Sequence, residues 1–196
     1  MSPVTSAWRH VGNGAALLAI LAVAAIVLHT TPDRELQQSP IAVRATLAEP
    51  ASGRNIRATV HSVAVTESVT AGNGSAGSTP GVWVVVESSV EAVVDDQATL
   101  GTAVLRVGDT SFSASTRPDY ATVVKRGLAT GIPLNGPLMF ELPADIASGK
   151  AAADATLELA INSDPRVDSL LVLPVDLARL DVTTSLDVDY PEWGGR

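Results

Sequence analysis

The chain has 196 residues, which accommodates one domain of ordinary size plus an appendage but leaves little room for two full domains. It contains no cysteine, which excludes disulfides, thiolate metal sites, cysteine nucleophiles and a lipidated cysteine anchor. The net charge of −8 argues against nucleic-acid binding, because neutralising phosphates requires a basic face.

The first predicted element is a helix that spans a membrane. Residues 11–31 carry no formal charge, and residues 14–28 are apolar or glycine throughout. A helix of this length measures about 31 Å, close to the thickness of a hydrocarbon core. A cleaved signal peptide is the alternative, because Ala22-Val23-Ala24 resembles a cleavage site. We favour an uncleaved signal anchor, because the apolar run continues to Leu28.

The flanks of this segment predict a single-pass arrangement. We expect residues 1–10 to form a short cytoplasmic stub and residues 32–40 to form a polar tether. Arg9 and Arg34 flank the segment, so the basic residues on its two sides are nearly balanced. The acidic domain that follows a short stub favours a C-terminal domain outside the cytoplasmic membrane. The membrane is then a partner, bound through residues 11–31.

Residues 41–177 show strand signals and almost no helix signal. Short strands separated by turns, without alternating helices, predict an all-β fold, and an antiparallel β-sandwich is preferred over a closed barrel. The predicted strands cover residues 41–49, 56–69, 82–94, 100–107, 110–114, 134–142, 156–161 and 170–177.

The apolar pattern of these strands predicts the core. The alternation changes parity near His61, so we expect a β-bulge there that keeps the later apolar residues on the inner face. Residues on the apolar parity of their strands should share one interior. These are Val84, Val86, Phe140, Leu142, Leu157 and Leu159.

Breaker residues predict the connections. The glycine-rich residues 71–81 predict a loop, the polar residues 95–97 close a strand, and Asn135-Gly136 predicts a turn. Pro174 cannot donate a ladder hydrogen bond, so its strand is expected at a sheet edge.

Three further segments have weaker patterns. Residues 115–130 are ambiguous and predict a loop with short extended pieces. Residues 143–150 predict a single helical turn that starts at a proline. Residues 178–196 predict an acidic C-terminal tail.

Three motifs carry a resemblance to a known family. They are residues 80–87 (PGVWVVVE), 105–109 (LRVGD) and 140–143 (FELP). Their order resembles the telokin-like, Ig-like extracellular domain family of exported bacterial proteins, over roughly residues 41–177. The resemblance implies an Ig-like sandwich, and that family has no catalytic residues to transfer. Its members are often tethered by a lipidated cysteine, which this chain replaces with an apolar helix.

The chemistry-bearing residues argue against an enzyme. Residues 72–77 match a G-x-G-x-x-G pattern, but a strand follows where a dinucleotide site requires a helix. His61 is the one histidine beyond the apolar segment, and the chain has no G-x-S-x-G elbow, so no catalytic triad can be assembled. Asp187 and Asp189 lack the spacing of an EF-hand loop. We therefore predict no catalytic, cofactor-binding or metal-binding residues.

The preferred hypothesis is a non-enzymatic interaction or accessory module of the cell envelope that binds another envelope or membrane protein. The candidate contact residues are Tyr120, Lys125 and Arg126, which include the one adjacent basic pair of the chain. An envelope protein that binds a solute or calcium, through its acidic surface or through the loop of residues 72–77, is the alternative. Beyond the apolar segment 12 basic residues stand against 21 acidic ones, a net charge of −9.

Overall fold

The computed structural model describes residues 4–30, 38–94 and 98–194. Most of the predicted tether and the predicted polar residues 95–97 lie outside these ranges. The chain divides into two compact units, Met1–Ser39 and Pro40–Arg196.

The first unit contains one long helix, α1 (Val4–Thr30). Within it, Asn13–Thr30 is long and apolar enough to cross a membrane, and its side chains are exposed. The helix begins at Val4, so it includes most of the residues that we predicted as a stub.

The second unit is a β-sandwich. Its strands within the described residues are β1 (Ile41–Arg44), β2 (Ala51–Ser52), β3 (Ile56–Ala71), β4 (Ala76–Ala92), β5 (Ala98–Thr99), β6 (Thr102–Val107), β7 (Thr110–Ser113), β8 (Gly127–Leu128), β9 (Leu134–Leu142), β10 (Ala155–Ala160), β11 (Ser169–Val175), β12 (Val182–Thr183), β13 (Leu186–Val188) and β14 (Glu192–Trp193). The predicted helical turn is α2 (Ala144–Ala147), which follows Pro143. Two 3-10 helices, Lys150–Asp154 and Leu177–Arg179, complete the unit.

The strands form two main sheets. The small sheet has the order β1-β11-β10-β6-β7, and the large sheet has the order β12-β3-β4-β9-β14, with β2 and β13 also paired to β3. Strands β5 and β8 form a separate pair. The central pairs are antiparallel as predicted, whereas β1 on β11 and both β12 and β13 on β3 are parallel.

The core between the two sheets confirms the parity argument. All six residues predicted to share an interior belong to one buried cluster. The register of β3 and β4 shifts between Val60 and Ser62, which confirms the bulge at His61. Because of this shift, Val60 and Val65 both face the core.

One predicted connection is wrong, and another is shorter than predicted. Asn135 and Gly136 form no turn, because they lie inside β9 and pair with Ser89 and Ser88 of β4. Strand β4 begins at Ala76, so the predicted loop is a short turn between two long strands. In both places, pairing with a neighbouring strand outweighs the local turn signal.

The predicted edge position of the strand with Pro174 is also wrong. Strand β11 lies between β1 and β10. Its pairing with β1 ends at Val172, so the proline lies past that ladder and disrupts none of its hydrogen bonds.

The segment predicted as a C-terminal tail belongs to the second compact unit. Its strands β12, β13 and β14 pair with β3 and β9. Val188 is buried with Trp83, Val85 and Met139 in a second cluster on the outer face of the large sheet. The apolar residues of this segment cover the part of the outer face that contains Trp83, Val85 and Met139. The core between the two sheets cannot bury these side chains, because they lie on the opposite face of the large sheet.

Candidate functional site

The segment between β7 and β8 carries the three predicted contact residues, and buried anchors fix it to the sandwich. Ala121, Thr122 and Val123 are completely buried. The Thr122 hydroxyl and the Val123 amide donate hydrogen bonds to the carbonyl of Pro137 at 2.9 and 3.1 Å. The Ser115 amide donates to the carbonyl of Met139 at 2.7 Å. The region that was ambiguous in sequence is therefore an anchored segment.

The exposed residues of this segment have an unusual backbone conformation. Asp119, Tyr120 and Lys125 have φ angles of 46°, 54° and 66°, in the left-handed region that residues other than glycine seldom adopt. Such conformations persist where the surrounding structure imposes them, and they concentrate at functional sites. Here they carry Tyr120 outward, with 61% of its surface exposed.

Hydrogen bonds around Asp119 join this segment to two other parts of the chain. Its carboxylate accepts hydrogen bonds from the amide of Asn73, in the β3–β4 turn, and from the hydroxyl of Tyr190. The bond to Asp119 is the main reason that the pKa of Tyr190 is raised above its ordinary value. The predicted glycine-rich loop thus has a structural role: Gly74 has a φ of 85°, and the Ser75 amide donates to the Asn73 side chain.

A second set of contacts fixes the start of the segment. The Arg117 guanidinium donates to both carboxylate oxygens of Glu141 and to the carbonyl of Ser78. It also lies 5.5 Å from the ring centroid of Trp83, within the range of a cation–π contact. Glu141 is therefore an acceptor in the structure, whereas the strand pattern predicted only that it faces away from the core.

The structure brings the predicted contact residues together in one surface, which we call the Tyr120 surface: Tyr120, Lys125 and Arg126. The Arg126 guanidinium donates to the carbonyl of Tyr120 at 3.2 Å. All three residues are exposed on an anchored segment. Tyrosine and arginine are enriched at the energetic centres of protein interfaces.

A groove that the sequence did not reveal adjoins this surface at Lys125. It has a volume of about 630 Å³ and crosses the outer face of the small sheet. We call it the Lys125 groove; its lining includes Val104, Arg106, Val124, Lys125, Glu158 and Leu170. These residues come from β6, β10, β11 and the anchored segment, so only the strand order brings them together.

One ion pair lies within the Lys125 groove. Arg106 donates from Nε and Nη2 to the two carboxylate oxygens of Glu158, both at 3.0 Å. This bidentate contact is the largest reason that the pKa of Arg106 is raised. The two charges neutralise each other.

A polar chain on the outer face of the large sheet contains His61. Its Nε2 lies 2.6 Å from the hydroxyl oxygen of Ser89, and that hydroxyl donates to Oδ1 of Asn135. The Asn135 amide donates to the carbonyl of Gly194, which fixes Oδ1 as the acceptor facing Ser89. These three side chains line a hollow of about 300 Å³.

The direction of these hydrogen bonds argues against a nucleophile. The one proton of Ser89 goes to Asn135, so the Ser89 oxygen accepts from His61 Nε2–H. A histidine that activates a serine must instead accept the serine proton. Sequence reasoning missed this contact, because it joins residues on three strands whose register is not visible in the sequence.

The acidic residues considered for calcium show no ligand cluster in the described part of the chain. Within those ranges, no group of three His, Cys, Asp or Glu residues is arranged to hold a metal ion. Asp187 and Asp189 are exposed on either side of the buried Val188.

The comparisons with known proteins concern the fold. The chain is similar to the crystal structure of an uncharacterized beta-sandwich protein from Clostridium difficile 630, with a TM-score of 0.49 and 7% identity, over 73% of this chain and 98% of that chain. No protein-family model and no curated protein matches the chain. The two sheets of the chain itself define a β-sandwich that follows a helix apolar enough to cross a membrane.

Proposed function

We propose that this protein is a membrane-anchored interaction module of the cell envelope, with its sandwich outside the cytoplasmic membrane. In this proposal α1 is an uncleaved signal anchor and the Tyr120 surface contacts another envelope or membrane protein. The sandwich binds its partner without catalysing a reaction.

The observation that carries the proposal is the anchoring of the Tyr120 surface. Buried residues hold the segment, yet its left-handed positions carry the ring of Tyr120 and the side chain of Lys125 outward, and Arg126 beside them is also exposed. A segment fixed in this way loses little conformational entropy when a partner binds. The direction of the hydrogen bonds between His61 and Ser89 supports a role without catalysis.

Purification of the full chain from its native membrane in mild detergent tests the partner. We expect a protein partner to co-purify in stoichiometric amount and to be lost by about tenfold or more in Tyr120→Ser, as for an interface hot spot. Trp193→Ser is the matched control, because this side chain is also aromatic and is 53% exposed. Recovery of a lone monomer, or equal losses in the two variants, would contradict the proposal.

Membrane fractionation tests the anchor separately. We expect alkaline carbonate to leave the protein in the membrane and added protease to reach the sandwich from outside intact protoplasts. Release by carbonate, or a mature N-terminus near Ala25, would show that α1 is a cleaved signal peptide.

A further inference from the structure

We infer that the Lys125 groove receives an extended, acidic segment of the partner protein, with apolar side chains in the groove and a carboxylate on Lys125. This inference rests on the proposed function and names the chemistry of the partner. The groove lies on the outer face of the small sheet, and Val124 joins its lining to the buried core.

The shape of the groove fits an extended chain. Its lining extends across β6, from Leu170 of β11 at one side to Val124 and Lys125 at the other. Val104 lines it, half-buried, with its side chain on the outer face of the small sheet. An extended segment directs alternate side chains to opposite sides, so one set can enter such a groove while the other remains in water.

The charges select an acidic occupant. Arg106 and Glu158 neutralise each other within the groove. Lys125 forms no ion pair with any residue in the described ranges. Arg126, the next residue of the Tyr120 surface, is also cationic and exposed, outside the groove lining. The groove therefore presents net positive charge to its occupant, on a chain whose net charge is −8.

The positive charge at Lys125 affects which segment binds in the groove more strongly than the negative net charge of the whole chain does. At physiological ionic strength the charges of exposed groups are screened beyond about 8 Å, so distant carboxylates of the sandwich repel an acidic segment weakly. Contact with Lys125 lies well within that distance. An acidic segment is thus attracted to the groove although the chain as a whole is acidic.

Binding of dye-labelled peptides to the full chain in mild detergent tests the inference. The probes are a peptide alternating glutamate with valine, a peptide alternating glutamine with valine, and a peptide alternating lysine with valine. We expect the glutamate peptide to bind at least about tenfold more tightly than either of the others. Equal affinities would overturn the inference.

Variants with matched controls locate the binding. We expect Lys125→Glu to weaken the glutamate peptide about tenfold or more, and Lys150→Glu to leave it unchanged. These are the two lysines of the chain, both exposed, so the variants change the net charge equally. Val104→Trp should fill the groove and abolish binding, whereas Val172→Trp, in a neighbouring depression of the same face, should not. If the two variants of either pair weaken peptide binding equally, the peptide does not bind in the Lys125 groove.

The same variants separate this inference from the proposed function. If a partner co-purifies equally with Lys125→Glu and with the unchanged chain, the Lys125 groove does not bind the partner, but the proposed function as an interaction module still holds. If the glutamate peptide binds through Lys125 but no partner is recovered, the groove does bind acidic segments, but the proposed function is wrong. A third experiment embeds the protein in phosphatidylglycerol nanodiscs without peptide and compares the acetylation of Lys125 with that of Lys150. If Lys125 is protected relative to Lys150, the groove contacts lipid headgroups and the inference is overturned.

Discussion

Phe140→Ala tests the assignment of β9 to the sandwich core. Phe140 is completely buried in the cluster between the sheets and pairs with Val84 of β4. Truncating a buried phenylalanine costs about 3–5 kcal/mol, from lost transfer free energy and the cavity left behind. For a domain of this size that cost lowers Tm by about 6–20 °C. We expect this loss in urea and thermal unfolding of the full chain in mild detergent, followed by far-UV circular dichroism.

Glu141→Ala is the matched control, on the opposite face of the same strand. Its carboxylate accepts from Arg117 and Ser115, and the side chain is 30% exposed. Loss of a partly exposed ion pair and one neutral hydrogen bond costs about 1 kcal/mol. The strand pattern alone predicts roughly 0.5 kcal/mol or less, as for an ordinary surface residue. Equal losses for Phe140→Ala and Glu141→Ala would refute the inward and outward assignment of β9.

Three further predictions follow from contacts outside the main core. In urea unfolding, Ser89→Ala should cost about 1–3 kcal/mol, because it leaves the buried Oδ1 of Asn135 without its donor. His61→Ala should cost less than about 1 kcal/mol, because His61 lies at the exposed end of this polar chain. Asp119 raises the pKa of Tyr190 from 10.0. The hydrogen bond between these two side chains therefore contributes fully to stability below pH 10, and its contribution is lost as pH rises through the raised pKa. Absorbance titration should show that Asp119→Asn lowers the pKa of Tyr190. Val188→Ala should cost about 1–3 kcal/mol in urea unfolding, because the side chain is buried, whereas a value within about 0.5 kcal/mol would indicate a loose tail.

The apolar parity of the sequence was sufficient to predict six residues of the core between the sheets, but not the second buried cluster on the outer face of the large sheet. Parity is a local property, so the slip at His61 revealed a bulge without knowledge of the partner strand. The turn predicted at Asn135-Gly136 failed for the opposite reason. Its residues are held by neighbours that are distant in sequence: the Ser88 hydroxyl donates to the carbonyl of Gly136 at 3.1 Å, and the Asn135 amide donates to the carbonyl of Gly194.

The candidate site was predictable only in part. Tyr120, Lys125 and Arg126 stood out as an aromatic residue beside the one adjacent basic pair. The Lys125 groove was not visible, because Val104 and Leu170 come from β6 and β11 and meet only through β10. The anchoring of Tyr120 was equally hidden, since the left-handed positions beside it depend on tertiary hydrogen bonds and have no glycine to mark them.

Zero-length carbodiimide crosslinking in intact native membranes tests the interaction module most directly. The reagent joins a lysine amine to a carboxylate in direct contact, and the chain offers Lys125 at the groove and Lys150 as an internal control. We expect an isopeptide bond between Lys125 and an acidic residue of another protein, found by mass spectrometry and absent in Lys125→Arg. Crosslinks confined to Lys150 or to carboxylates of the same chain would show that Lys125 does not contact a partner protein.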